Sequence, residues 1–219
     1  MNKLTLILPF ALISQVVFAE VAPVLVPECY EGTSALDQTG RFENTILPTD
    51  DGDFKVVNDL ATGLQWAYCP YGQTVTAEGA CSGSQHLLSG NWKTNYPLEV
   101  SKIINKENTR LGEYAQPWRA PNFNEAMSIY NKDCTPNIYT NFYYSQLSQA
   151  TLDEMLALRI ADNHQYKMWW VLSNLFIFAT ETQSKDAKKI HSINYGYSTG
   201  VLGNQSGGNV RLVREIPSE

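Results

Sequence analysis

The four cysteines are the most reactive side chains of this chain of 219 residues, and the compartment decides their chemistry. A free thiolate is a nucleophile or a zinc ligand, whereas paired cysteines cross-link the chain. No two of them have the Cys-x-x-Cys spacing of a zinc site, and the histidines are scattered at His86, His164 and His191. We therefore expect no metal site and no cofactor.

The N-terminus predicts that the chain is exported. A short basic start is followed by an uncharged apolar run over residues 4–18 and by a small-residue cleavage site after Ala19. These features, in this order, are typical of a signal peptide over residues 1–19. The apolar run is shorter than the roughly 20 residues of a spanning helix, and Pro9 interrupts it, so we expect no membrane span. The expected location is periplasmic, secreted or cell-surface associated.

In an oxidising compartment the four cysteines predict two disulfides, for which three pairings exist. Cys69 and Cys81 bracket a short segment rich in Gly, Ser, Thr and Gln. A bridge across this segment would remove roughly 3 kcal/mol of unfolded-chain entropy. We therefore expect Cys69 to pair with Cys81, which leaves Cys29 to pair with Cys134.

Catalytic chemistry finds little support in the residue pattern. Paired cysteines are not nucleophiles, and no Gly-x-Ser-x-Gly turn is present to activate a serine. Among the 22 acidic residues, no two have a spacing that marks them as a catalytic carboxylate pair. The formal net charge of −6 argues against nucleic acid and against an anionic membrane surface as partners. We expect a protein that is not an enzyme.

The residues best suited to binding lie in the C-terminal third. Tyr, Asn, Ser and Gly are interspersed there, as in adaptable binding loops, where aromatic faces give area and amides give hydrogen bonds. Ordinary polar β-turns explain the same composition equally well. Of two adjacent tryptophans on a strand, one should face the core and the other the surface. The candidate ligand-binding residues are Trp169, Trp170, Asn194, Tyr195, Tyr197, Asn204 and Asn209.

Short strands must position these residues. Two β-rich runs at 54–57 and 64–68 flank a turn that ends in Gly63, which is typical of a hairpin. Further strands are predicted at 168–172, 176–182, 189–194 and 209–214. Arg211 and Arg214 alternate with apolar residues, which predicts a half-buried strand with an exposed polar face.

Helices are predicted in the middle of the chain. An apolar stripe begins after Pro97 and fades at Asn105, and Asn122 forms a capping box with Glu125. A second capping box at Thr151 predicts a third helix. The chain therefore has the pattern of an α+β domain whose second half is mostly antiparallel sheet.

Many modest motifs, in order along the chain, carry a resemblance to a known family. They are Arg41-Phe42, Asp51-Gly52-Asp53-Phe54-Lys55-Val56, Asp59-x-x-Thr62-Gly63-Leu64-x-Trp66, Cys69-x-x-Gly72-Gln73, Cys81-x-Gly83, Trp118-Arg119-Ala120-Pro121 with Glu125, and Val210-Arg211-Leu212-Val213-Arg214. Together they resemble the Lcl-type C-terminal domain, a bacterial extracytoplasmic family. The resemblance implies one C-type-lectin-like domain over residues 41–219 after an irregular leader over residues 20–40. Such a domain has an antiparallel sheet, two to three helices and two disulfides.

The resemblance implies recognition of a ligand. Calcium-dependent lectins carry Glu-Pro-Asn or Gln-Pro-Asp loops and a Trp-Asn-Asp motif, whereas this chain has Gln116-Pro117-Trp118 and no Trp-Asn-Asp. We therefore expect no calcium site of that kind, and we expect Trp66, Trp118 and Arg119 to build core contacts.

The expected function is that of a secreted or surface-associated, adhesin-like domain. Its partner would be a glycan or a protein on a cell or matrix surface. The second hypothesis is a structural or tip subunit of an extracellular assembly such as a pilus, whose partners would be the other subunits. The third is an extracytoplasmic enzyme.

Overall fold

The computed structural model describes the middle of the chain and separate segments toward its C-terminus. The described residues are 28–34, 36, 37, 39–49, 52–77, 81–83, 95–112, 116–135, 137–139, 141, 142, 177–183, 190–194, 201, 202 and 208–217. The predicted signal peptide, the helix predicted after Thr151 and the strand predicted at 168–172 lie outside these residues. Within them, no helix is long and apolar enough to cross a membrane.

The largest sheet is built from the first half of the chain and the C-terminal strand. Its strands are β2 (Phe42–Thr49), β3 (Gly52–Asp59), β4 (Leu64–Ala67) and β11 (Val213–Glu215). They are all antiparallel, in the order β11-β4-β3-β2. The turn between β3 and β4 ends in Gly63 with a φ of 71°, a left-handed conformation that glycine adopts readily. The predicted hairpin is confirmed.

Apolar cores cover both faces of this sheet. Val56 packs into one core and its neighbour Val57 into the other, because consecutive side chains of a strand point to opposite faces. The core on the Val57 face includes Trp66, Phe142, Ile129, Ile138 and Val213. The core on the Val56 face includes Ala67, Tyr96, Val100, Trp118 and Leu212. The sheet is therefore the central layer of the fold.

Helix α1 (Tyr96–Leu111) packs on the Val56 face. Its N-cap is Asn95, whose side-chain oxygen accepts the N–H of Leu98 at 3.2 Å, and its C-cap is Gly112. The predicted helix is confirmed, but its buried stripe differs from the prediction in two respects. Leu98 is exposed, and the buried stripe continues past Asn105 to Glu107 and Leu111. The buried side is made by Tyr96, Val100, Ile103, Glu107 and Leu111, spaced three or four residues apart.

Helix α2 (Phe123–Ser128) is short and begins with the predicted capping box at Asn122. Three small sheets complete the described part. They are β1 (Glu28–Cys29) with β7 (Cys134–Thr135), β5 (Thr74–Val75) with β6 (Cys81–Ser82), and β10-β9-β8, formed by β8 (Ile177–Gln183), β9 (Ile190–Asn194) and β10 (Val201–Leu202). The strands predicted at 176–182 and 189–194 are confirmed, whereas the 209–214 prediction becomes a strand only at Val213–Glu215.

Both predicted disulfides are present, Cys69–Cys81 and Cys29–Cys134. The second joins directly opposed residues of β1 and β7, and the N–H of Tyr30 donates to the carbonyl of Asp133 at 2.9 Å beside it. The described part of the leader is therefore fixed to the segment that follows α2. Because such bonds persist in oxidising surroundings, they are consistent with an extracytoplasmic compartment.

The C-terminal arginines are buried, which corrects the expected exposed polar face. Arg211 is 1% exposed, and its Nη1 donates to the carbonyls of Ala67, Tyr68 and Phe142 at 2.7 to 2.9 Å. The Nε of Arg214 donates to Gln65 at 2.7 Å. The predicted alternation of side chains is present, but an apolar core covers each face of the sheet, so neither face is exposed.

Candidate functional site

In the first turn of α2, the carboxylate of Glu125 takes part in both a capping box and an ion pair. The Asn122 side-chain oxygen accepts the N–H of Glu125 at 2.9 Å, and the Glu125 carboxylate accepts the N–H of Asn122 at 2.8 Å. Both oxygens of Glu125 also accept hydrogen bonds from Arg119, from Nη1 and Nη2, at 2.7 Å each. Glu125 therefore joins the helix start to the segment before it.

This ion pair shifts the protonation equilibria of its members. The hydrogen bond to Glu125 raises the pKa of Arg119 above its ordinary value against the effect of burial. Burial alone would raise the pKa of Glu125, but the hydrogen bonds from Arg119 and from the Asn122 N–H outweigh it, so the pKa lies below its ordinary value. Both groups therefore stay charged at neutral pH, which fixes the geometry of the pair.

The sheet places a second carboxylate beside Arg119. Arg119 and Val213 exchange backbone hydrogen bonds of 2.9 and 2.8 Å, so the Arg119 segment extends the sheet beyond β11. Glu215 lies two residues after Val213 and opposite Leu64. Because side chains two apart on a strand, and those of directly opposed residues, share a face, Arg119, Glu215 and Leu64 lie on the same face of the sheet.

A cleft lies between this end of the sheet and α2. Its volume is about 570 Å³. The described residues that line it are Thr62, Gly63, Leu64, Arg119, Asn124, Glu125, Ser128, Glu215 and Ile216. Most of these side chains carry a hydrogen-bonding group, so the cleft is suited to a polar ligand.

A second cleft of about 470 Å³ adjoins the first, because Asn124 lines both. Its described lining residues are Asn122, Phe123, Asn124 and Thr182. The Thr182 hydroxyl oxygen accepts the N–H of Phe123 at 3.1 Å, which joins α2 to β8. We call the two clefts together the Asn124 groove. It offers amides, hydroxyls, an aromatic ring and an ion pair, which is a set that can bind through hydrogen bonds and stacking.

None of the predicted binding residues is among the described residues that line this groove. Trp169, Trp170, Tyr195, Tyr197 and Asn204 lie outside the described residues. Asn194 is the last residue of β9, where it pairs with Ile177.

Asn209 lies in the interior, which corrects the expectation that it is a surface contact. It is 0% exposed, and its carbonyl accepts the N–H of Ala179 at 2.8 Å. This backbone contact places Asn209 beside β8, where the neighbouring Ala179 and Val210 are also fully buried.

The sequence pointed to only some of the residues that line the groove. The capping box located Asn122 and Glu125, whereas Arg119 was expected to make core contacts and is about one-third exposed. Two expectations are confirmed, since Trp66 and Trp118 are both buried. The signal for the ion pair was the close spacing of an arginine, a proline and a capping glutamate, which brings the side chains together at a helix start.

Within the described residues, no group of three or more His, Cys, Asp and Glu side chains could hold a metal ion. Comparison of the chain with family models, with curated proteins and with solved structures found no match.

Proposed function

We propose that this chain is an exported, non-enzymatic recognition domain that binds a glycan or a protein on a cell or matrix surface. The observation that carries the proposal is the Asn124 groove, two adjoining clefts whose walls combine polar, charged and apolar side chains. Its central ion pair, Arg119 with Glu125, is held by the sheet on one side and by a capped helix on the other. A preformed polar groove supports binding because little ordering entropy is lost when the ligand enters.

The proposal includes a C-type-lectin-like fold. The α+β architecture, the antiparallel sheets and the two disulfides support it. The two disulfides also support export, since the bonds would not persist in a reducing cytoplasm. A crystal structure in which the large sheet and the β10-β9-β8 sheet are arranged otherwise than in C-type lectins would contradict the fold.

The test is a screen of the wild-type protein against glycan and host-protein arrays, with a matched pair of variants. Asn124→Ala removes the amide shared by both clefts. Asn44→Ala is the control, because Asn44 is an exposed asparagine on β2 outside the groove. We expect binding by the wild type and the control and roughly tenfold weaker binding by Asn124→Ala, the loss of about one good hydrogen bond.

A third variant separates the groove from the C-terminal face. The double change Tyr195→Ala and Tyr197→Ala removes two predicted binding residues of the C-terminal third and changes none of the described groove residues. Loss of binding in this variant alone would move the site to the C-terminal face. A wild-type protein that binds nothing on either array would contradict the recognition function and favour an assembly subunit.

A further inference from the structure

Strand β2 is an edge of the large sheet. It pairs with β3 on one side, and among the described residues no strand pairs with its other side. The carbonyl of Arg41 accepts the N–H of Leu60 at 2.9 Å, so the odd-numbered residues of this run bond toward β3. Because alternate residues of an antiparallel strand bond to opposite sides, the backbone groups of Phe42, Asn44 and Ile46 point outward. We call these three residues the open edge.

The open edge carries an exposed apolar side chain and ends at a proline. Pro48 has an even position, so its nitrogen, which lacks a hydrogen, points outward and the pairing with β3 is intact. Ile46 is 57% exposed although it is large and apolar. Glu43, the one charged residue of β2, lies on the opposite face of the strand. Because edge strands of natural proteins are usually covered or charged, an uncovered isoleucine here indicates a pairing surface.

The segment after the predicted cleavage site has the composition of a matching strand. Residues 21–27 read Val-Ala-Pro-Val-Leu-Val-Pro and carry no charge. Pro23 and Pro27 are four residues apart, so in an extended strand their nitrogens point to the same side. The N–H groups that point to the other side are then uninterrupted, and they belong to Ala22, Val24 and Val26. Their spacing equals that of the three residues of the open edge.

We propose that residues 21–27 of one copy add to the open edge of a second copy as an antiparallel strand. Pairing with Val24 opposite Asn44 brings all three donors of the segment opposite the three outward residues of β2, which permits about six backbone hydrogen bonds. Ala22 and Val24 then cover the exposed side chain of Ile46. Both prolines face away from β2, where the new edge strand needs no donor.

The exposure of Ile46 favours a second copy over the same chain as the source of the segment. In a single copy this side chain is 57% exposed, so the edge is open to another molecule. The segment leads directly into β1, which the Cys29–Cys134 disulfide fixes to the domain. Each copy therefore offers one segment and one edge, a head-to-tail contact that continues into a ring or a filament. The inference goes beyond the proposed recognition function, since it would make the grooves multivalent.

The experiment measures self-association of the mature protein, residues 20–219, by sedimentation velocity over a range of concentrations. Val24→Pro removes a donor that faces β2, whereas Leu25→Pro, the matched control, places the same residue on the outer side. We expect the wild type and Leu25→Pro to self-associate and Val24→Pro to do so roughly tenfold or more weakly. A wild type that is monomeric at every concentration, or equal self-association of the two proline variants, overturns the proposal.

A mixing experiment tests the head-to-tail contact directly. Ile46→Lys places a charge on the open edge and leaves the segment unchanged, and an unaltered melting temperature would show that its fold is retained. Neither Ile46→Lys nor Val24→Pro should oligomerise alone, but their mixture should form a dimer with one copy of each. Absence of this dimer contradicts the contact. A monomeric wild type that Val24→Pro destabilises would place the segment on the edge of its own chain, which also contradicts the proposal.

Discussion

The carboxylate of Asp59 is fully buried against the guanidinium of Arg41, which is 24% exposed. The Nε of Arg41 donates to one carboxylate oxygen at 2.7 Å, and the same oxygen accepts the N–H of Ala61 at 3.2 Å. The pair therefore ties the residue before β2 to the turn between β3 and β4. Removal of one partner from a buried pair leaves an uncompensated group, which is strongly destabilising.

We expect Asp59→Asn to lower the free energy of unfolding by about 3 kcal/mol. Urea denaturation followed by tryptophan fluorescence measures the change. Asp53→Asn, at an exposed position in β3, should change it by less than about 0.5 kcal/mol. Equal stability of the two variants would show that the Arg41 pair contributes little.

Stability should fall as the solution becomes acidic. Burial would raise the pKa of Asp59, but hydrogen bonds from Arg41 and Thr62 and the charge of Arg41 lower it below its ordinary value, and the pKa of Glu125 is likewise lowered. The folded state therefore binds these two protons more weakly than the unfolded state. Their contribution is complete above the unfolded pKa values of about 4 and is lost as pH falls through the lower folded values.

The measurement is urea denaturation at pH 7 and pH 3. The wild type should lose more unfolding free energy between these conditions than a variant with Asp59→Asn and Glu125→Gln. An identical loss in both proteins would place the acid sensitivity at other carboxylates.

The two disulfides should contribute unequally to stability. Cys29 and Cys134 are 105 residues apart in sequence, whereas Cys69 and Cys81 are 12 apart. On the loop-closure model these bridges remove about 5 and about 3 kcal/mol of unfolded-state entropy at 25 °C. Double serine replacement of the long-range pair should therefore lower the melting temperature more than the same change at the local pair. The reverse order would mean that the local bridge acts mainly through native contacts, since Cys81 is fully buried.

Because Arg211 donates hydrogen bonds to three backbone carbonyls, we expect its replacement to lower the free energy of unfolding strongly. Arg211→Met keeps most of the volume but leaves the carbonyls of Ala67, Tyr68 and Phe142 without this donor. We expect a loss of about 3 kcal/mol or more in the free energy of unfolding. Arg211→Lys, which retains a charged donor, should recover part of the loss. Failure of the lysine variant to exceed the methionine variant in stability would contradict a hydrogen-bonding role.

The local elements of this fold could be predicted because short-range chemistry determines them. The β3–β4 turn requires a residue with positive φ at Gly63, and the start of α2 requires the reciprocal bonds of Asn122 and Glu125. The local disulfide could be predicted because Cys69 and Cys81 are close in sequence. Each of these features depends on residues that are near one another along the chain.

Long-range packing could not be predicted in the same way. The alternation around Arg211 shows that successive side chains face opposite sides, but not that apolar cores cover both sides. The groove has the same origin. Arg119 and Glu215 line the same cleft because the Arg119 segment pairs with Val213, a contact across 94 residues that no local pattern reveals.

Neighbouring residues of β3 and β4 pack into different cores, and this restricts where the chain can gain or lose residues. Insertion of one residue before Val56 in β3 would move Val56 into the place of Val57 and turn each later side chain of the strand to the opposite face. The same holds in β4, where an insertion before Trp66 would place the tryptophan in the site that Ala67 occupies. We therefore expect natural variation in length to fall in the connections between strands. Within β3 and β4, only insertions of residues in pairs preserve both interiors.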